Sequence, residues 1–161
     1  MVKFQPIIKW SGSKRSQCEE ILSYFPETIE TYYEPFCGGC SMLMGLLNSD
    51  ISVKRYVCSD LNGDLISLWN LIKINSEIIY NSYTKLWKEL NVDNDVSRKR
   101  KYFEEMRDLY NETHDPLIFF FIMRTRPLNA FAYPRKENIL VKNIILTVEI
   151  EQAFPSYIKC E

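Results

Sequence analysis

The chain has 161 residues, 46% hydrophobic and 25% charged, with a formal net charge of -1. That length supports one ordinary core, and the near-zero charge excludes a global pull toward nucleic acid, so such a partner must be met by a local patch. No apolar run follows a basic start or approaches the roughly 18 residues of a membrane span, and five cysteines at 18, 37, 40, 58 and 160 form an odd, irregular set that excludes a secreted disulfide framework; a soluble, cytoplasmic protein without membrane contact is expected.

"QPIIKWSGSKRSQCEEILSYF" begins extended, breaks at Ser11-Gly12-Ser13 and continues with Cys18, Ile21, Leu22 and Phe25 at helical spacing, so a loop presents Trp10 and Lys14. "TYYEPF" is short, aromatic and followed by glycines, which predicts a strand ending at Pro35 or Phe36. "CSMLMGLLNS" predicts a compact helix stopped by Asn48 and Ser49, and "RYVCSD" a second strand closing on Asp60. "DLISLWNLIKI" is apolar nearly all round, which predicts a buried helix. From Ser76 to Phe121 the pattern is helical throughout, with Ile79, Tyr83, Leu86 and Leu90 on one face and Tyr102, Phe103, Met106 and Tyr110 on another. An apolar helix then enters a loop with Pro and Asn that holds Arg124, Arg126, Arg135 and Lys136, and "ILVKNIILTVEI" predicts one or two closing strands.

The order strand, Gly-Gly turn, helix, strand, acid is that of the first half of a Rossmann-like ligand site. Glycines let backbone approach a ligand, the following helix N-terminus offers N–H groups, and an acid ending the next strand can accept from a ribose diol. Asp60 lies 21 positions after Gly39, near the roughly 20 that this role requires. Cys37 and Cys40 leave two readings open: a C-x-x-C at a helix N-terminus is where thioredoxin-like redox proteins carry theirs, and small semi-buried packing residues fit equally. Metal binding is not expected, because His114 is the single histidine and Cys18, Cys58 and Cys160 form no second close pair. The plain alternatives for the remaining candidates are a core aromatic for Trp10, a solvated charge for Lys14 and a helix N-cap for Asp60.

"IIKWSGSK" at 7–14, "YYEPFCGG" at 32–39 and "SDLNGDLISLWNLIK" at 59–73 occur in the order and register of three motifs of the Dam-type adenine-specific DNA methyltransferases, which this chain resembles over about 70 residues. The likeness returns at "IMRTRPLNAF", with Met123 and Ala130 standing where the family has Asn and Gly. The resemblance implies an α/β fold: the first half of a Rossmann-like methyltransferase sheet over 1–75, an all-helical target-recognition-like insert with a DNA-contact loop over 76–135, and a tail at 136–161 without likeness. It implies S-adenosylmethionine as cofactor, with Trp10 and Lys14 lining its site, Phe36, Cys37, Gly38 and Gly39 forming its turn and Asp60 binding its ribose. It also implies double-stranded DNA as substrate, contacted by Arg124, Arg126, Asn129 and Arg135, and methylation of adenine as in restriction-modification. Arg98, Lys99, Arg100 and Lys101 form a further basic run on the insert.

The family's catalytic Asp-Pro-Pro-Tyr, whose Asp and backbone carbonyl accept from the adenine amino group while the Tyr stacks on the flipped base, does not occur. Asp115-Pro116 is followed by Leu117 and Ile118 and reads as a helix entry, so no catalytic residue is assigned. Loss of likeness from about Pro134 is the pattern of a truncated or frame-shifted gene. The expectation is a truncated and inactive member whose missing half a partner chain would supply. The alternatives are a non-catalytic cofactor- or DNA-binding remnant and, behind it, a thioredoxin-like redox protein.

Overall fold

A computed structural model describes residues 7, 8, 10–125 and 146–148. They fall into two compact units, one holding the chain to Ile66 together with the last short strand, the other beginning at Ser67.

In the first unit a 3-10 turn at Arg15–Gln17 leads into α1, Cys18–Leu22. The helix is shorter than its apolar spacing predicts, because Pro26 disfavours helical backbone just before it; Phe25 falls in the closing turn, its amide donating to the Leu22 carbonyl at 3.0 Å. Strand β1, Thr28–Glu34, is built from β-branched and aromatic residues. It pairs in parallel with β2, Ser52–Cys58, from Thr28 opposite Ser52 to Glu34 opposite Cys58. The two are joined through α2, Ser41–Leu47, because parallel neighbours need a crossover. Strand β3, Leu146–Val148, lies antiparallel to the end of β2, giving the order β1-β2-β3. Both long strands stop earlier than predicted. Pro35 has no amide to extend the ladder, yet the hydrogen bonding runs on through Ser59 N to Glu34 O at 3.0 Å and Cys37 N to Ser59 O at 2.9 Å. Those two bonds hold Phe36 and Asp60 side by side at the same end of the sheet.

The core of this unit is α2 itself, whose residues Ser41 through Leu46 are all buried, with Cys18, Leu22, Tyr56, Val57 and Cys58. Gly45 is small because α1 crosses it: a Cβ there would overlap Cys18 Sγ and meet Leu22 Cδ1 at 3.4 Å.

Helix α3, Gly63–Leu90, starts from Asn62, whose side-chain oxygen accepts the Leu65 amide at 3.0 Å. It breaks at Asn75 (φ -154, ψ 82), which caps the continuing segment by accepting from Ile78 N at 3.2 Å. Helix α4, Val96–Thr113, is capped by Asp95 through the Ser97 and Arg98 amides and stops at His114, φ 53. Helix α5, Pro116–Thr125, has Asp115 accepting from Leu117 N at 2.7 Å, with Pro116 at the first position, where its missing amide costs nothing. Asp115-Pro116 is thus a capping pair. The core of the second unit is aromatic: Tyr83 and Tyr102 stand edge-on or tilted to Phe121, and Tyr110 stacks on Phe119 at 5.1 Å and 17°. No helix of the described residues is long and apolar enough to cross a membrane.

The α1–α2 crossing sets a measurable sign. Gly45→Ala gains about 1 kcal/mol of helix propensity but forces the Cys18 thiol aside, an overpacking cost of about 1–3 kcal/mol. Net destabilisation is expected in urea melts of the parent, reversing to net stabilisation when Cys18→Ala is present; the same sign in both backgrounds would show that the thiol does not set the limit.

Candidate functional site

The loop at 10–14, the turn that follows β1 and Asp60 beyond β2 converge on one cavity of about 280 Å³. All seven residues predicted for the cofactor line it: Trp10, Lys14, Phe36, Cys37, Gly38, Gly39 and Asp60. Glu34, Ser13, Ser41 and Met42 join them, and sequence reasoning assigned none of these four.

The Gly-Gly turn has a definite steric reason. Gly38 sits at φ +49, and a Cβ on it would stand 2.8 Å from Trp10 Cδ1; a Cβ on Gly39 would stand 3.0 Å from Trp10 Cβ and 3.4 Å from the Ile8 carbonyl. The Trp10 side chain therefore lies directly on bare backbone. Ser13 Oγ and Ser41 Oγ, 2.6 Å apart, tie the same loop to the first residue of α2.

Asp60 fastens the turn from the other side. One carboxylate oxygen accepts the Gly38 amide at 2.9 Å and the other accepts the Asn62 amide at 3.0 Å. Since Asn62 caps α3, Asp60 is not the N-cap that was its plain alternative; it is a latch between the end of β2 and the glycine turn.

Glu34, the last residue of β1, accepts from the Tyr32 hydroxyl at 3.1 Å and from Leu43 N at 3.0 Å, both on Oε2. Burial pushes its carboxyl up to about 7, although the bonds from Tyr32 and from the Leu43 and Met42 amides pull the other way. Tyr32 is held well above the ordinary phenol range by burial first and by Glu34 second. The α2 first turn thus spends amides on the protein's own carboxylate, and the Gly38 amide on another. The available signal for Glu34 was its place immediately before Pro35 at the strand end; its bond to α2 is invisible in one dimension.

Cys37, Cys40 and Cys58 are buried free thiols. Burial, then the neighbouring Cys37 and Cys58 thiols, hold Cys40 well above its ordinary value, the opposite of the activated thiolate that redox exchange needs. Among the described residues no group of three or more His, Cys, Asp or Glu could hold a metal ion.

Of the residues predicted to meet DNA, Arg124 is exposed at the end of α5 with its guanidinium 5.9 Å from the Phe120 ring. Arg126, Asn129 and Arg135, with Lys136, lie outside the described residues. In the basic run, Arg98 donates to the Glu89 and Leu90 carbonyls at 3.1 and 2.6 Å and pairs with Asp93 at 2.9 Å, so it closes the C-terminus of α3. Arg100 and Lys101 pair with Glu104 and Glu105 one turn on.

Residues 10–141 match the model of the D12 class N6 adenine-specific DNA methyltransferases. The chain is 30% identical over 128 residues to the DNA adenine methylase of Salmonella typhi, covering 77% of this chain and 42% of that protein. It is 30% identical over 127 residues to that of Haemophilus influenzae, covering 76% and 41%, and 32% identical over 118 residues to one from Vibrio cholerae, covering 73% and 38%. The chain thus spans about two fifths of the length of these relatives, and it belongs to the D12 class N6 adenine-specific DNA methyltransferases.

Proposed function

We propose that the cavity over the Gly38–Gly39 turn is the S-adenosylmethionine site of an adenine-specific DNA methyltransferase acting on double-stranded DNA. The observation that carries this reading is the convergence of Trp10, the glycine turn and Asp60, three segments far apart in sequence, on one cavity. The residues fit the group. Aromatic surface at Trp10 and Phe36 suits an adenine ring, the carboxylates suit a diol and a cationic centre, and Lys14 suits the methionine carboxylate. The positions a Cβ would fill at Gly38 and Gly39 belong to Trp10, so the glycines shape the aromatic wall and through it the ligand's bed. When bound, the cofactor supplies a methyl group on an electrophilic sulfonium.

The chain's own part is binding and orientation. In this reading β1–α2–β2 is the first half of a Rossmann-like sheet, Asp60 holds both turn and ribose, and the helical unit from Ser67 supports the DNA-contact segment with Arg124, Arg126, Asn129 and Arg135. No Asp-Pro-Pro-Tyr occurs in these 161 residues, so an acceptor for the adenine amino proton has to come from elsewhere. The 161 residues are therefore proposed to bind cofactor and DNA without transferring methyl by themselves, the acceptor being supplied by a segment that carries the motif. Labelled methyl transfer to unmethylated duplex, with and without a fragment of a relative that carries the motif, tests this.

Asp60→Ala removes the latch and the ribose acceptor together. Calorimetry should show S-adenosylmethionine affinity falling by about tenfold or more, near 1.4 kcal/mol, and equal affinities would take Asp60 out of the site.

Each phosphate contact adds about one unit to the dependence of log affinity on log salt. Binding of duplex DNA should be weak, salt-sensitive and little dependent on sequence, because base readout needs a complete docked surface. Arg124→Ala with Arg126→Ala should flatten the salt slope by about one to two units; an unchanged slope would leave both as surface charges.

A further inference from the structure

The cavity holds one acid, Glu34, to which the sequence reading gave no ligand role. Glu34 lines it together with Asp60 and Lys14. Glu34 Oε2 already takes the Tyr32 hydroxyl and the Leu43 amide, and the Asp60 oxygens take the Gly38 and Asn62 amides. The protein therefore supplies its own anions to these backbone donors. A ligand's anionic end finds those amides occupied, whereas a ligand's positive centre meets two carboxylates.

We propose that Glu34 is a proton-linked anchor for the positive charge of the ligand in this cavity: it is ionised with a cationic ligand bound and takes up a proton when the ligand leaves. The inference rests on the cofactor reading above and deepens it. The groups facing Glu34 are Tyr32 on its own strand, Cys18 on α1, the first-turn amides of α2, and Lys14 and Asp60 around the cavity. Tyr32 and Cys18 are both held above their ordinary values, chiefly by burial, so at neutral pH they are uncharged and offer nothing to a cation. Glu34, pushed up to about 7, changes charge in the working range.

The sign follows from linkage. The folded chain holds the Glu34 proton more tightly than the unfolded chain, so this group's contribution to stability is present below its ordinary pKa and is lost as pH rises through about 7. A bound cation favours the ionised form, so binding expels the proton and affinity rises with pH across the same window. The cofactor carries one more positive charge than its thioether product, and Glu34 thereby favours the cofactor over the spent form.

Calorimetry of S-adenosylmethionine binding at pH 6.5, in two buffers of different ionisation enthalpy, reads the proton directly. The parent should release roughly half a proton or more, and Glu34→Gln close to none. Between pH 5.5 and 7 the parent's affinity should rise about fivefold or more and that of Glu34→Gln should stay nearly flat, with S-adenosylhomocysteine showing a smaller rise in the parent. Gln keeps an acceptor for Leu43 N, and thermal melts from pH 5 to 8 check the fold: the variant should lose less stability with rising pH than the parent. Equal proton release from both proteins, or pH-independent binding by the parent, would overturn the anchor while leaving the cofactor site standing. Failure of both proteins to bind, with the melts behaving as expected, would overturn the cofactor reading and the anchor with it.

Discussion

The bond on which the site depends is the one from the Gly38 amide to the Asp60 carboxylate, at 2.9 Å. The parallel pairing of β1 and β2 brings their ends together, but strand ladders stop short of the turn. Beyond them two backbone bonds carry the chain as far as Cys37 and Ser59, and Asp60 closes the remaining gap. With its second oxygen on Asn62, which in turn starts α3, the same carboxylate fixes the turn, the strand end and the helix entry. Removing it would loosen three elements at once.

Upon that latched backbone Trp10 lies flush, and this closeness explains the glycines better than ligand access alone. Any side chain at Gly38 or Gly39 would push the indole away and spoil the wall of the cavity. The charge pattern is equally local. In a chain of net charge -1, the cavity gathers two acids and one lysine, an arrangement suited to a ligand with an excess positive charge. A net charge over the whole chain carries no trace of it.

Much of this could be read from sequence. The strand, turn, helix, strand order and the spacing of Asp60 placed the cavity's two main segments, and "KWSGSK" placed the third. The strands end before Phe36 and Asp60 because Pro35 interrupts the ladder. What could not be read lies in contacts between residues distant along the chain. Glu34 looked like the last residue of a strand until α2 placed the Leu43 amide against it. The basic run at 98–101 gave no sign in the sequence of a structural role, yet Arg98 turns back to the carbonyls of Glu89 and Leu90. The same holds for the cysteines: spacing left redox and packing equal, and burial of Cys37, Cys40 and Cys58 against one another favours packing. Asp60 was the sequence's candidate for the α3 cap, and geometry gives that role to Asn62.

The central claim is that a cofactor lies on the Trp10 and glycine wall, and a ¹H–¹⁵N NMR titration with S-adenosylmethionine tests it most directly. The chain has three tryptophans, of which Trp69 and Trp87 belong to the second unit and serve as internal references. The account predicts that the Trp10 indole N–H and the Gly38 and Gly39 amides shift together along one saturating curve while the indoles of Trp69 and Trp87 stay in place. Saturable binding that leaves the Trp10, Gly38 and Gly39 signals unmoved would contradict it.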